Sequence, residues 1–273
     1  MALDVRPLTA TLGADVSGVD MADVDGSTLA ALHRAGLDHK VLTPRDQHIT
    51  TEEHIAFGRL FGDLEVHPFA VQRRARTDHP EVVTIRSDAE TTYSASLWHS
   101  DVTWREAPSM GSVLRAVEIP PVGGDTCFAD ATAAYDRLPD AWKSRVDNRV
   151  AVHDFTRVFG GRLDATELAE KQATYPAVEH PVVRTHPETG VRGIYTNRSF
   201  TSHVVGVDAD ESKEILTRLE RAIMDPSVQC RIRWEVDTFV MWDNRAVQHF
   251  GTNDFYPETR HMERVTIVGD RPV

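Results

Sequence analysis

Apolar residues recur with a helical period in four stretches of the chain, and short apolar runs lie between these stretches. The helical stretches are 27–39, 51–61, 131–147 and 209–224, with Ser27 and Thr51 as the expected N-caps of the first two. The short runs, which predict strands, are 82–86, 111–118, 125–129, 181–185, 191–196, 236–242 and 264–268. Short strands separated by Gly, Pro and Asp turns favour an antiparallel barrel or jelly roll over a doubly wound parallel sheet.

The chain shows no repeat, low-complexity tract or linker-like stretch, so residues 1–273 are predicted to form a single domain, mainly β with flanking helices. Two segments, around 66–97 and 153–180, have weak periodicity. Loops of that length in a compact domain are often lids over a site. We therefore expect these two segments to cover a functional site.

Composition and charge narrow the classes of partner. The net charge of −12 argues against binding to nucleic acid or to an anionic membrane, so an anionic substrate needs a locally positive site. Two cysteines form no disulfide framework, and no apolar run approaches the ~20 residues of a membrane span. Because the N-terminal stretch MALDVRPLTATLG also lacks the pattern of a signal peptide, we expect a cytoplasmic protein with no membrane partner.

The run WHSDVTW contains a candidate pair of metal ligands, His99 and Asp101. On a strand, residues two apart share a face, so this imidazole and carboxylate would converge on one cation. The spacing alone is weak evidence, because four His-x-acid pairs occur in the chain: His79/Glu81, His99/Asp101, His186/Glu188 and His261/Glu263. His79 and His186 precede prolines in turn-like segments and His261 lies beside two arginines, which leaves His99/Asp101 as the candidate.

The C-terminal region contains groups that complete such a site. His249 follows an apolar run, and Arg260 and Arg264 are four residues apart, so on a strand both would point to one face. Two histidines and one carboxylate form the facial ligand set of non-haem Fe(II) oxygenases, which leaves three open positions. A 2-oxo acid can fill two of these and leave one for O2. Its distal carboxylate needs a cation, for which Arg260 is the natural candidate, helped by a hydroxyl such as that of Thr126.

Together, several stretches of the chain resemble one family. They are LGADVSGVD, FGDLEVHPF, WHSDVTW, PPVGGDTCFAD, HPVVRTHPETG, and WDNRAVQH followed by ERVTIVGD. Over roughly residues 5–272 the chain resembles the taurine dioxygenase/TfdA family of Fe(II)- and 2-oxoglutarate-dependent dioxygenases. The resemblance implies a double-stranded β-helix, the cupin-like jelly roll, which agrees with the predicted short strands.

The resemblance also implies roles for individual residues. The family's iron ligands fall on His99, Asp101 and His249, and its 2-oxoglutarate contacts fall on Thr126 and Arg260. The groups that hold the sulfonate of taurine fall on His67, Arg264 and the main-chain N–H of Val102. Because the carboxylate at position 101 is present, hydroxylation is expected rather than halogenation.

The positions around the taurine amine depart from the family pattern. A Tyr, an Asn and a Ser of taurine dioxygenase correspond to Ala70, Ala95 and Val158, and Phe159 is a further candidate for the pocket wall. A buried ammonium would meet no polar partner there, which is costly. Substrates with larger or more apolar tails are therefore expected, namely alkyl sulfates, alkyl sulfonates or aryloxyalkanoates. Taurine is the alternative substrate.

The expected reaction is hydroxylation of a carbon next to a heteroatom, which releases succinate, CO2, an aldehyde or ketone, and the anion. A metal-dependent hydrolase could use the same triad to activate water, although it would have no use for a second anion anchor beside the metal. A barrel that only binds a ligand would be expected to lack a metal ligand, and none is lacking. Relatives are commonly dimers or tetramers, so a homodimer or homotetramer is expected.

Overall fold

The structure is a computed structural model and describes residues 3–68, 78–91 and 97–273. The strands are Asp4–Pro7 (β1), Ala14–Ser17 (β2), Val41–Pro44 (β3), Val83–Ser87 (β4), Gly111–Glu118 (β5), Thr126–Asp130 (β6), Val150–His153 (β7), Val178–Pro181 (β8), Val183–Thr185 (β9), Arg192–Ile194 (β10), Thr201–Val204 (β11), Gln229–Ile232 (β12), Phe239–Asp243 (β13), Val247–Gly251 (β14) and Arg260–Ile267 (β15). The α-helices are Gly26–His39 (α1), Thr51–Arg59 (α2), Ala131–Asp136 (α3), Asp140–Val146 (α4), Thr156–Phe159 (α5), Ala165–Thr174 (α6) and Ala209–Ile223 (α7).

Two sheets face each other across a shared apolar layer. The larger has the strand order β1-β2-β3-β13-β5-β15-β4 and the smaller has the order β12-β6-β14. Leu114 and Val240 of the larger sheet share one buried cluster with Phe128 and Val247 of the smaller. All pairings in these two sheets are antiparallel except that of β2 with β3. Two facing antiparallel sheets of this kind form a cupin-like jelly roll, so the predicted fold class is confirmed.

Helices cover the outer face of the larger sheet. Val113 and Leu114 are neighbours on β5 and point to opposite faces, so both faces of this strand are buried. Leu32 of α1 and Phe57 of α2 pack with Val113 and Val265. None of the helices in the described ranges is long and apolar enough to cross a membrane.

A second layer lies beyond the smaller sheet. The sheet β11-β7-β8 and the hairpin β9-β10 border a cluster filled by α3 and α7. Ile215, Leu219 and Ile223 recur every four residues on α7 and are buried against Ala151 and Val204. This support holds the strands that carry the candidate site.

The helix boundaries differ from the prediction in ways that local chemistry explains. The N-caps of α1 and α2 are Asp25 and Thr50, not Ser27 and Thr51, because the Asp25 carboxylate and the Thr50 hydroxyl accept the free N–H groups of the first turns. The predicted helix 131–147 is two helices. It breaks before Pro139, which lacks an N–H and disfavours helical geometry in the preceding residue.

The segment 153–180 is largely helical, whereas its weak periodicity indicated a loop. Asp164 caps α6 and forms a capping box with Glu167. No residue of α6 is fully buried, and Leu168 is only partly buried against the cluster of Phe155 and Phe159, so the apolar pattern of this helix is weak. Lys171 on α6 donates to the Pro68 carbonyl oxygen at 3.2 Å, which joins this segment to the early loop.

Stability should fall in mild acid because of a buried histidine. His54 on α2 places Nε2 3.1 Å from the Val113 carbonyl oxygen, and burial lowers its pKa to about 4 from 6.5. The unfolded chain takes up the proton first, so acid favours unfolding as the pH falls from about 6.5 towards 4. Between pH 7 and pH 5, His54 should remove about 2 kcal/mol from the free energy of unfolding.

Urea titrations of the wild type and of His54→Gln at the two pH values measure this contribution. Glutamine keeps a side-chain donor for the Val113 carbonyl but does not titrate, so the variant should lose that part of the pH dependence. An equal pH dependence in the two proteins would contradict the assignment.

Candidate active site

The backbones of two histidines pair where β14 meets the segment before residue 100. His99 N–H donates to the His249 carbonyl oxygen at 3.1 Å, and His249 N–H donates to that of His99 at 2.7 Å. This bridge sets the two imidazole rings side by side, with centroids 4.2 Å apart. His99 Nδ1 lies 2.7 Å from the Leu97 carbonyl oxygen, which favours the Nδ1–H tautomer and leaves Nε2 with its lone pair for a metal.

Asp101 does not lie on a strand with His99, so the shared strand face expected for this pair is wrong. His99 forms a single bridge, and residues 101–104 form a turn. Asn244 orients the carboxylate's backbone instead: its Oδ1 accepts from Asp101 N–H at 2.6 Å, and its Nδ2 donates to the Asp101 carbonyl oxygen at 3.1 Å. Asn244 is itself fully buried at the end of β13, so it is a rigid support.

The three side chains converge on one point. Asp101 Oδ1 lies 3.8 Å from His99 Nε2 and 3.9 Å from His249 Nε2. The ligand atoms of all three residues lie within 4.8 Å of one another, and within the described ranges this is the one group of its kind. Two imidazoles and one carboxylate on one side of an ion fit a divalent transition metal that keeps open positions.

The protonation states suit metal binding. Burial, together with the nearby His99, lowers the pKa of His249 to about 3, so its ring is neutral at pH 7. Burial works to raise the pKa of Asp101, but Arg264 and then the two imidazoles outweigh it and hold that pKa well below its usual range. A metal therefore meets a neutral imidazole at His249 and a carboxylate at Asp101 that is already charged.

Arg260 and Thr126, the predicted contacts of the 2-oxo acid, lie together in the interior. Arg260 Nη2 is 3.3 Å from Thr126 Oγ1, and its Nε donates to the Gly124 carbonyl oxygen at 2.8 Å. Gly124 has a φ of 73°, and a Cβ there would come within 3.1 Å of Arg260 Cδ. Glycine at this position thus allows the guanidinium to approach.

Arg264, the predicted substrate anchor, lies against the metal carboxylate. Its Nη1 is 2.8 Å from both oxygens of Asp101, and its Nε is buried without a hydrogen-bond partner in the described part of the chain. Nearby, the buried Glu65 is ion-paired with Arg105 at 2.6 Å. The positive charge of Arg264 is shared with Asp101 through Nη1, while its Nε–H has no hydrogen-bond partner among the described residues.

Val102 has an unusual backbone conformation next to this arginine. Its φ is +47°, in the left-handed region that a β-branched residue rarely adopts. Such conformations cost energy and persist where the surroundings enforce them, often at functional sites. Its N–H makes no hydrogen bond within residues 3–68, 78–91 and 97–273, which leaves this donor for a ligand.

An apolar wall borders the triad. Phe200 lies with its ring centroid 6.2 Å from that of His99, and Phe159 stacks on Phe200 at 6.4 Å. His67 is buried, with its ring 6.5 Å from Phe159, and Val158 packs against the same cluster. The structure thus brings together the predicted residues His67, Val158 and Phe159. The other two predicted positions, Ala70 and Ala95, lie outside the described residues.

Three site residues were not predicted. Asn244 is part of the run WDNRAVQH, where a polar residue directly after a buried strand is a usable signal. Phe200 follows the polar run NRS, and nothing in the local pattern distinguishes it from a core residue. Trp234 donates from its indole N–H to Thr126 Oγ1 at 3.0 Å, a contact between residues 108 positions apart.

Comparison with known proteins identifies the class. The family described as "Taurine catabolism dioxygenase TauD, TfdA family" matches residues 4–266. The chain belongs to this family, and by class it is an Fe(II)/2-oxoglutarate-dependent dioxygenase.

Individual relatives are similar along most of their length. An alkylsulfatase of Acinetobacter baylyi is 34% identical, over 98% of this chain and 86% of the relative. An alpha-ketoglutarate-dependent sulfate ester dioxygenase of Pseudomonas putida is 31% identical, over 99% and 91%. A 2,4-dichlorophenoxyacetate dioxygenase of Cupriavidus pinatubonensis is 33% identical over the full length of both chains.

Solved structures share the fold. A taurine dioxygenase from Burkholderia xenovorans superposes with a TM-score of 0.86 at 35% identity, covering 100% of this chain and 93% of that one. The enzyme AAD-2, solved in complex with Mn(II) and N-oxalylglycine, gives a TM-score of 0.86 at 27% identity, covering 100% and 99%.

Replacing His249 by alanine should abolish both metal binding and turnover, because two remaining ligands cannot hold the ion in this geometry. Binding is measured directly by titrating the protein with Co(II) and following its visible absorption. His48→Ala is the matched control, since His48 is exposed and paired with Asp237. Retention of wild-type Co(II) affinity in His249→Ala would exclude His249 as a ligand.

Proposed function

We propose that the enzyme uses Fe(II), 2-oxoglutarate and O2 to hydroxylate a carbon next to a heteroatom in a small organic anion. The substrate classes are alkyl sulfates, alkyl sulfonates and aryloxyalkanoates, and the products are succinate, CO2, an aldehyde or ketone, and the released anion. The observation that carries the proposal is the buried triad of His99, Asp101 and His249 flanked by two separate arginines.

The triad is the proposed iron site. His99 and His249 would bind through Nε2 and Asp101 through a carboxylate oxygen, which fits the donor set and its protonation states. When bound, the iron and its 2-oxo acid supply the oxidising power for C–H hydroxylation from O2. The chain's own part is to hold the three ligands rigid, to orient both anions and to exclude water.

Thr126 and Arg260 are the proposed site of the distal carboxylate of 2-oxoglutarate. Arg260 offers a permanent positive charge with several N–H donors, which suits a carboxylate. Both residues are buried, so the carboxylate would bind in a region of low dielectric where the ionic contact is strong.

Arg264, His67 and the Val102 N–H are the proposed anchors of the substrate anion. The support is that, among the described residues, neither the Arg264 Nε–H nor the Val102 N–H has a hydrogen-bond partner. Because Asp101 already shares the charge of Arg264, a singly charged head group fits this site better than a doubly charged one.

Phe159, Phe200 and Val158 support an apolar substrate tail. Phe159 and Phe200 are buried in an apolar cluster directly beside His99, and the partly buried Val158 packs against it. Taurine therefore stays the alternative substrate.

A metal-dependent hydrolase is the alternative of another class. Family membership argues against it, and so does the presence of two arginines for two different anions. An alkyl sulfate distinguishes the two reactions, because hydrolysis yields an alcohol whereas hydroxylation next to the ester oxygen yields an aldehyde.

We also propose that the enzyme is cytoplasmic, and that it is a homodimer or homotetramer, as the family resemblance suggests. The segments around 66–97 and 153–180 are the proposed lids over the substrate. The contact of Lys171 with Pro68 supports a joint role for the two segments, because it links them directly.

Arg260→Ala should weaken 2-oxoglutarate binding far more than substrate binding. Losing a charge-assisted contact costs about 2–3 kcal/mol, or roughly 30- to 150-fold in affinity. Anaerobic titration of the Fe(II) protein with 2-oxoglutarate measures the affinity, and Arg231→Ala, an exposed arginine paired with Asp125, is the control. A larger effect on the primary substrate would mean that the roles of Arg260 and Arg264 are exchanged.

A medium-chain alkyl sulfate or sulfonate should show a kcat/KM at least about tenfold above that of taurine, since each buried methylene adds about 0.8 kcal/mol. Competition assays that follow aldehyde and sulfate or sulfite release, with and without 2-oxoglutarate, measure the ratio. Phe200→Ala should reduce this ratio of kcat/KM values, because it removes an aromatic ring from the apolar wall. If taurine is the preferred substrate, the substrate assignment is overturned. If an alcohol forms without 2-oxoglutarate, the reaction type is overturned.

A further inference from the structure

The Thr126 hydroxyl receives two hydrogen bonds from groups that can only donate. Trp234 Nε1 lies 3.0 Å from Thr126 Oγ1, and Arg260 Nη2 lies 3.3 Å from the same atom. An indole N–H and a guanidinium have no acceptor, whereas a hydroxyl has one proton and two lone pairs. Both lone pairs are therefore occupied, and the Thr126 proton has to point towards a third partner.

We propose that Trp234 is a positioning residue for the cosubstrate: it fixes the Thr126 hydroxyl as a donor to the distal carboxylate of 2-oxoglutarate. The inference rests on the proposed role of Thr126 and Arg260. A carboxylate at neutral pH only accepts hydrogen bonds. A hydroxyl that is free to rotate loses part of its binding energy in being oriented, and the indole N–H removes that loss beforehand.

The surroundings hold the indole in place. Trp234 is 3% exposed, and it follows β12, where Ile232 is paired directly with Thr126. Both backbones are therefore fixed relative to each other by the small sheet. The tryptophan packs in the layer between the two sheets, in the same cluster as Phe128 and Met262.

The indole has a second contact that a test must separate from the first. The guanidinium carbon of Arg260 lies 5.9 Å from the centroid of the Trp234 ring, within the range of a cation–π interaction. Phenylalanine keeps an aromatic face for Arg260 but has no N–H. Trp234→Phe therefore removes the hydrogen bond to Thr126 and retains a large part of the cation–π contact with Arg260.

The experiment is a double-mutant cycle on 2-oxoglutarate affinity. The Fe(II) forms of the wild type, Trp234→Phe, Thr126→Val and the double variant are titrated anaerobically, and the visible charge-transfer absorption is followed. Trp234→Phe should weaken binding by about threefold to tenfold in the wild-type background and have no effect when residue 126 is valine. Trp142→Phe, in α4 beneath Arg145, is the matched control.

A second titrant tests whether the effect is specific for the distal carboxylate. 2-Oxobutanoate has the metal-binding end of 2-oxoglutarate but no distal carboxylate. Trp234→Phe should leave its affinity unchanged, whereas a general disturbance of the site would weaken both acids. Trp234→Leu provides a second apolar replacement if the phenylalanine variant folds poorly, and the same selective loss is expected.

The outcomes separate this inference from the proposed function. If Thr126→Val leaves 2-oxoglutarate affinity unchanged, the proposed cosubstrate site is wrong and the inference fails with it. If Thr126→Val weakens binding but Trp234→Phe has the same effect in both backgrounds, the site stands and the positioning role is overturned. The positioning role is also overturned if Trp234→Phe does not change 2-oxoglutarate affinity in the wild-type background.

Discussion

A buried carboxylate that stays charged is the constraint on which the site depends. Asp101 is nearly inaccessible, and an ionised group removed from water needs compensating partners. Arg264 supplies a positive charge at 2.8 Å, and Asn244 holds the backbone on both sides of the side chain. The same arginine is the proposed anchor of the substrate anion, so one group would both stabilise the candidate metal ligand and orient the molecule to be oxidised.

The jelly roll brings the two proposed anion sites to the metal from one strand. Arg260 and Arg264 are four residues apart on β15, and the regular pairing with β4 keeps both on one face. The first reaches Thr126 on the smaller sheet and the second reaches Asp101. Their spacing along the strand would thereby set the distance between the two proposed anion sites.

The proposed wall for the substrate tail belongs to a different layer of the molecule. Phe159 ends a short helix and Phe200 precedes β11, so the apolar wall beside His99 comes from connecting segments. Connections tolerate sequence change more readily than the sheets that carry the ligands. This separation is consistent with one family acting on sulfate esters in one relative and on an aryloxy acid in another.

The sequence by itself determined the short-strand architecture, the triad of His99, Asp101 and His249, and the family, because turn residues, strand-length runs and motifs are local. It failed where distant segments meet. The backbone of Asp101 is held by Asn244, 143 residues away, and the Thr126 hydroxyl is contacted by Trp234, 108 residues away. These contacts arise only when the two sheets close, since a side chain's hydrogen-bond partner depends on packing that no local pattern records.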